Sequence, residues 1–416
     1  MHTVLRKLAL CGVVVLPSAV SDFSKVHAAD ERPPVVVTDK ARALHARSLV
    51  IDGHNDMPWE IRKQSGSDFS KLDISQPQKS LQTDIPRLRA GGIGAQFWSV
   101  WVPVDLGYRG EALATTLEQI ELVQHMIQRY PDTFELALST DDIERVHKEG
   151  KIASLIGVEG GHCIQESLQA LAKLYDLGAR YMTLTHTDSL NWADSATDEA
   201  KNGGLTPFGE DVVRKMNDLG MLVDLSHVSP DTMNDVLDVS AVPVIFSHSS
   251  ARAVADHPRN VPDQVLERIR TQDGVVMVNF YSGFIVPEST KVCLEGMLYE
   301  QSLRRGEDTA SIDAKMVQWR ATHPYPRGTI HDLLDHIDHI AQVAGPEHVG
   351  IGSDFDGVSV LPEQLEDVSC YPTITQGLID RGYTDEQIQG ILGGNLMRVF
   401  RAAEAYAAKK HDSQSQ

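Results

Sequence analysis

Eight short apolar runs, each followed by a more polar stretch, constrain this chain more than any other feature. The runs fall at 49–52, 94–102, 152–158, 181–185, 221–225, 242–246, 275–280 and 348–351. Between them lie amphipathic segments at 112–129, 168–177, 207–219, 230–239 and 261–271, some opened by helix-start signals such as Thr140-Asp141-Asp142 and Ser229-Pro230. Strands that alternate with helices build parallel sheets, and eight of them fit a closed (β/α)8 barrel. An open doubly wound sheet is the alternative that the pattern alone leaves standing.

The ends of these runs carry ionisable groups. The first ends in His54-Asn55-Asp56, the third in Glu159-Gly160-Gly161-His162, the fourth in His186, the fifth in His227, the sixth in His248 and the eighth in Asp354. Alternate residues of a strand point the same way, so His54 and Asp56 can reach one ion together. A barrel brings every one of these tips to one face. Taken singly, each has an ordinary explanation: a histidine that hydrogen-bonds, a glutamate in a turn, an aspartate that caps a helix. Taken together they do not, because burying so many unpaired polar groups costs several kcal/mol each, on the order of 2–7. Bound cations remove that cost. The ligand count exceeds one four-coordinate zinc and suggests two ions: His54 and Asp56 on one, His227 and His248 on the other, Glu159 between them. His162 is read as lying behind the ligands.

The chain has 416 residues and a formal net charge of -20, which disfavours nucleic acid and anionic membrane as partners. Its beginning differs from the rest. Arg6 and Lys7 precede an apolar run at 8–16 and then Pro17-Ser18-Ala19, the order of a secretory signal, with a cleavage point expected after Ala28. The expected organisation is therefore a signal peptide at 1–28 and one catalytic domain at 29–416, exported to a periplasm or secreted. Cys163, Cys293 and Cys370 remain after the signal, enough for one bridge at most.

Seven ordered motifs resemble the membrane (renal-type) dipeptidases, zinc peptidases with an amidohydrolase-like barrel. They are Ile51-Asp52-Gly53-His54-Asn55-Asp56, Gly157-Val158-Glu159-Gly160-Gly161-His162, Thr183-Leu184-Thr185-His186, Asp224-Leu225-Ser226-His227-Val228-Ser229, Phe246-Ser247-His248-Ser249-Ser250, Arg259-Asn260-Val261-Pro262 and Gly352-Ser353-Asp354-Phe355-Asp356-Gly357. The resemblance implies a binuclear zinc dipeptidase with His54, Asp56, Glu159, His227 and His248 as ligands. It also implies that His186 and Arg259 bind substrate and that Asp354 transfers protons. On this reading His186 stabilises the oxyanion and Arg259 takes a free C-terminal carboxylate, with a D-residue at that position a candidate for tolerance. A dipeptide is the expected partner and a homodimer a candidate assembly. The lipid-anchor tail of the family's membrane-bound members has no counterpart, so no stable membrane anchor is expected.

Two regions stand apart from the repeating pattern. Residues 282–327 form a long, charged segment with several prolines and glycines, expected to be a lid or a wall over the catalytic face. The stretch from 357 to 408 reads as a helical C-terminal extension, including 385–407. Cobalt or manganese would also suit the ligand set. A related hydrolase of another amide, such as a β-lactam or an N-acyl amino acid, and a non-catalytic binding protein are the competing functional readings.

Overall fold

The computed structural model describes residues 32–304 and 309–414. The expected signal segment lies outside the described residues. Pro33–Gln416 forms one compact unit.

Among the described residues there are nine strands: β1 (Val50–Asn55), β2 (Ile93–Trp101), β3 (Phe134–Leu136), β4 (Ile152–Glu159), β5 (Ala179–Thr183), β6 (Leu222–Asp224), β7 (Ile245–Phe246), β8 (Val275–Val278) and β9 (Val349–Ile351). All pairings between them are parallel. β9 pairs with β1, β1 with β2, and β2 with β4, so the sheet closes on itself. The eight apolar runs are the eight staves of this barrel. β3 is the one strand not expected: three residues, Phe-Glu-Leu, paired only with the first half of β4, while β5 pairs with its second half.

Side chains divide by strand parity. Ile51, Phe97, Leu155, Tyr181, Leu222, Ile245 and Met277 form one apolar cluster, while Val50, Trp98, Ile156, Met182, Val223, Phe246 and Val278 belong to another, packed with the helices. That is the alternation a barrel requires, one set filling the lumen and the next facing the helical layer. The inner cluster also takes in Leu396, Met397, Phe400 and Ala403 of helix Asn395–Gln414. Arg398 of that helix donates to the carbonyls of Asp273 and Glu347, and Asn395 to those of Pro346 and Val349. These carbonyls lie at or before the starts of β8 and β9. The expected C-terminal extension is thus helical, and it plugs the end of the barrel opposite the ionisable tips.

Helix-start chemistry matches the sequence. Ser229 caps helix Pro230–Val239 by accepting from the N–H of Thr232, and proline follows at the first helical position. Segment 282–327 departs from its expected loop character. It folds as helices Ser282–Ile285, Pro287–Arg304 and Thr309–Thr322. Pro287 sits at a helix start and Pro324 and Pro326 lie past the last of these helices, while Gly296 lets a second helix approach closely: a Cβ there would stand 2.8 Å from the Trp319 ring. Cys163, Cys293 and Cys370 are all buried and unbridged. No helix among the described residues is long and apolar enough to cross a membrane.

Candidate metal centre

Two buried carboxylates fasten the strand tips before any ligand is placed. Asp52 on β1 accepts from the backbone N–H groups of His54 (3.2 Å) and Ser353 (2.8 Å), and from the hydroxyls of Ser353 (2.6 Å) and Tyr371 (2.7 Å). Asp224 on β6 accepts from the N–H groups of Ser226 (3.0 Å) and Ser247 (2.8 Å) and from the Ser247 hydroxyl (2.5 Å). Each therefore joins its own strand end to a neighbouring one, β1 to β9 and β6 to β7. Burial raises the pKa of both, partly offset by these donors.

Five side chains converge above this frame. His54 Nε2 lies 3.3 Å from Asp56 Oδ2 and 3.4 Å from Glu159 Oε2. The other oxygen of Glu159, Oε1, lies 3.0 Å from His227 Nε2 and 3.4 Å from His248 Nε2, and the His248 ring also packs on that of His54 with centroids 3.9 Å apart. Those two ring nitrogens stand 2.9 Å apart. Ser99 steadies Glu159 by donating to Oε2 at 3.1 Å. All five side chains are buried.

The hydrogen-bond partners fix which ring nitrogens carry protons. Tyr181 donates its hydroxyl proton to the carbonyl of Gly53 (3.1 Å), so it must accept from His54 Nδ1–H at 2.8 Å. Ser247 gives its proton to Asp224 and accepts from His248 Nδ1–H at 2.7 Å. In the neutral rings both Nε2 atoms then present lone pairs to the cluster, the arrangement of metal-binding imidazoles. His54 Nε2 is buried without a hydrogen-bond donor or acceptor among the described residues. Lone pairs and carboxylate oxygens packed this closely repel unless a cation lies among them, so the donor set fits divalent metal. The charges respond accordingly. Burial holds His227 and His248 well below the usual histidine range. Burial also opposes charge on His54 and Glu159. Tyr181, Glu159 and Asp56 nevertheless carry His54 well above its ordinary value, and the facing histidines hold Glu159 well below its own.

The remaining expected residues line the same opening. His186 places Nε2 3.6 Å from Glu159 Oε1, stacks on His227 with ring centroids 4.3 Å apart, and is held neutral by burial. Asp354 receives Asn279 Nδ2 on Oδ2 at 2.8 Å, and its pKa is pushed up to about 8 by burial, with Asp56 and Glu159 adding to the rise. Its backbone and that of His227 are left-handed, φ +66° and +72°, a conformation that the surrounding bonds must enforce on a residue with a side chain. Arg259 is 3 % exposed and reaches Ser249 Oγ and the carbonyl of His248 at 3.4 and 3.3 Å. Its Nε has no partner, and no carboxylate oxygen of the described residues lies within 4.0 Å of the guanidinium. Burial lowers its pKa to about 10. His162 is turned away from the cluster, with Nε2 3.0 Å from the carbonyl of Val102. The cavity over the site measures about 690 Å³, walled by Trp59, Trp101, Tyr281 and Phe284.

A sequence profile of the membrane dipeptidases, peptidase family M19, matches residues 38–414. The chain belongs to the membrane dipeptidase family. An uncharacterized dipeptidase of Schizosaccharomyces pombe is 41% identical over 386 residues, covering 90% of this chain and 85% of that protein. Two solved structures share the fold. The probable dipeptidase PvdM of Pseudomonas aeruginosa has a TM-score of 0.78 at 24% identity, covering 88% of this chain and 98% of that one. A metallo peptidase of Rhodobacter sphaeroides, liganded with a phosphinate mimic of L-Ala-D-Ala, has a TM-score of 0.71 at 21% identity, covering 86% and 99%. This chain is thus a metallodipeptidase of that family, a hydrolase whose substrates are dipeptides. All eight residues singled out in the sequence stand around one opening. The residues not singled out are those that hold them there: Asp52, Asp224, Ser247, Tyr181 and Asn279. A readable signal existed for the first two, each an aspartate inside an apolar run.

Proposed function

We propose that this metallodipeptidase binds two zinc ions and cleaves dipeptides that carry a free C-terminal carboxylate. One observation supports the ion count above the rest: Glu159 places one oxygen 3.4 Å from His54 and the other within 3.4 Å of both His227 and His248. When bound, the two ions supply Lewis acidity to the scissile carbonyl and acidify the attacking water. The chain's own groups do the rest. Asp354, anchored through Oδ2 by Asn279, takes the proton of the attacking water on its other oxygen and passes one to the departing amine. His186, neutral and beside His227, donates to the oxygen on which charge develops. Arg259, buried and without a carboxylate, receives that of the substrate in bidentate fashion. The phosphinate mimic of L-Ala-D-Ala on the Rhodobacter sphaeroides relative supports a D-residue at the C-terminal position here. Export by cleavage near Ala28 belongs to the same reading and predicts a secreted form that begins close to Ala29.

The test is hydrolysis of a panel of L,L and L,D dipeptides by the protein as isolated, after chelation, and after zinc is restored, with bound metal counted in each state. Zinc-restored cleavage with two ions per chain is expected. A folded, two-zinc protein that cleaves no dipeptide overturns the substrate, and full activity with a single ion overturns the binuclear centre.

A further inference from the structure

The substrate cavity does not end at the metal ligands. Gln82, Arg320 and Ser359 also wall a second cavity of about 600 Å³, which continues past Tyr325 and Glu366. Arg320 therefore stands where the two spaces meet.

Packing sets where its backbone lies. Arg320 follows Trp319 on helix Thr309–Thr322, and the Trp319 ring lies so near helix Pro287–Arg304 that only a glycine, Gly296, fits opposite it. The same ring stacks on His323 with centroids 4.3 Å apart. Tyr325, five residues on from Arg320, meets Tyr281 of the catalytic wall at 6.1 Å. The inserted helices thus carry this guanidinium to the rim of the active site.

Its charge has no counterpart there. Arg320 is exposed, and among the described residues its side chain has neither hydrogen bond nor ion pair. The chain holds 58 acidic and 38 basic residues, so carboxylates are plentiful. Surface arginines elsewhere find them: Arg47 with Asp385 at 2.6 Å, Arg214 with Glu210 at 2.6 Å, Arg327 with Glu366 at 2.9 Å. Lys63, the other cation on the cavity wall, is paired with Glu60 at 3.1 Å. Two guanidiniums without a carboxylate therefore face one cavity, Arg259 deep beside the ligands and Arg320 at the rim. The first suits the α-carboxylate of the substrate. The second suits a carboxylate farther from the scissile bond, which a dipeptide offers only through a side chain.

We propose that Arg320 is a specificity-determining residue that selects dipeptides with an acidic side chain. The proposal rests on the dipeptidase reading above and adds the substrate class. An exposed pair of this kind is worth up to about 1 kcal/mol, so a preference of about fivefold in kcat/KM is expected for an aspartyl or glutamyl dipeptide over its asparaginyl or glutaminyl counterpart.

The experiment compares kcat/KM of the zinc-loaded protein for Ala-Asp, Asp-Ala, Ala-Glu and Glu-Ala with the four amide counterparts, at low and high salt. The acidic member should win at one of the two positions, and salt should shrink the ratio. Arg320→Ala should bring that ratio close to one, and Arg320→Glu should invert it in favour of lysyl dipeptides. A helix pair that merely misfolds would lower all rates together and leave the ratio alone. An acidic-to-amide ratio near one in the wild type, or one unchanged in Arg320→Ala, overturns the proposal. Those outcomes leave the dipeptidase reading intact, whereas failure to cleave any member removes both.

Discussion

The phenol oxygen of Tyr181 stands 2.8 Å from Nδ1 of His54 while its own proton is committed to the carbonyl of Gly53. The space for this ring comes from Gly157, where a Cβ would lie 2.0 Å from the Tyr181 ring. One hydroxyl on the inner face of β5 thereby decides which nitrogen of a histidine on β1 presents its lone pair to the cluster. Tyr181→Phe removes the acceptor and leaves a buried N–H unpaired. Such outer partners typically govern about 10- to 100-fold in metal affinity. Competition with a chromophoric chelator should show a weakening of that order at one ion and little change at the other. Equal affinity at both sites in the variant and the wild type would remove Tyr181 from the metal centre.

Metal removal should cost stability as well as activity. The cluster of His54, Glu159, His227 and His248 brings ring nitrogens and carboxylate oxygens within 3.4 Å of one another only in the folded chain, so cations held there favour that state. An ion present at about 1,000 times its Kd contributes about 4 kcal/mol to folding. Thermal unfolding with and without a strong chelator should therefore separate by several degrees, and zinc should restore the difference. Coincident curves would mean that the site tolerates emptiness.

Asp354→Asn should retain both ions, because the substituted group keeps its shape and the Asn279 contact lies on one oxygen only. Turnover should fall by about 10²- to 10⁴-fold, the range associated with a positioned acid or base. Near-normal kcat with full metal content would exclude Asp354 as the proton carrier.

Arg259 combines burial with the lack of a carboxylate partner, a state that favours function over stability. Arg259→Met should raise KM for free dipeptides and at the same time raise the melting temperature. C-terminally amidated dipeptides should be poor substrates of the wild type and should lose little further in the variant. A wild type that handles amidated and free dipeptides equally well would contradict the carboxylate role.

Asp194 predicts an acid-sensitive loop. Burial raises its pKa, but the backbone N–H groups of Gly204, Lys201 and Asn202 outweigh this and hold it below the ordinary 3.8. A carboxylate with a lowered folded pKa adds stability above its unfolded value and loses it as pH falls through the folded one. Amide exchange at Lys201, Asn202 and Gly204, corrected for its intrinsic pH dependence, should therefore be protected at neutral pH and quicken below about pH 4. Asp194→Asn should abolish that pH step. Protection that is the same at pH 3 and pH 7 would count against it.

The barrel and the cluster of ionisable groups at its strand tips were legible because each depends on local pattern. Each apolar run has the length a buried strand needs, and His54, Glu159, His227 and His248 each stand within two residues of the end of one. β3 escaped because three residues carry too little alternation to stand out. The segment at 282–327 was misleading for a different reason: Pro287 lies at a helix start, Pro324 and Pro326 past a helix end and Gly296 at a close helix crossing, placements that composition does not distinguish from a loop. Tyr181 and Asp224 were visible as residues but not as partners. Their roles depend on which strands are neighbours around the ring, and that is settled only on closure. Arg320 could not be assigned from sequence at all, since the role proposed for it rests on the lack of a carboxylate partner among the described residues.

The hydroxyl of Ser353 and the carboxylate of Asp52 are 301 positions apart, yet their contact joins the first stave of the barrel to the last. On a ribosome, a chain that has reached Ile340 already contains His54, Asp56, Glu159, His227 and His248. It still lacks β9, Asp354 and the seam that closes the ring. A chain cut short before β9 would thus carry five of the clustered side chains without the contact that closes the ring around them.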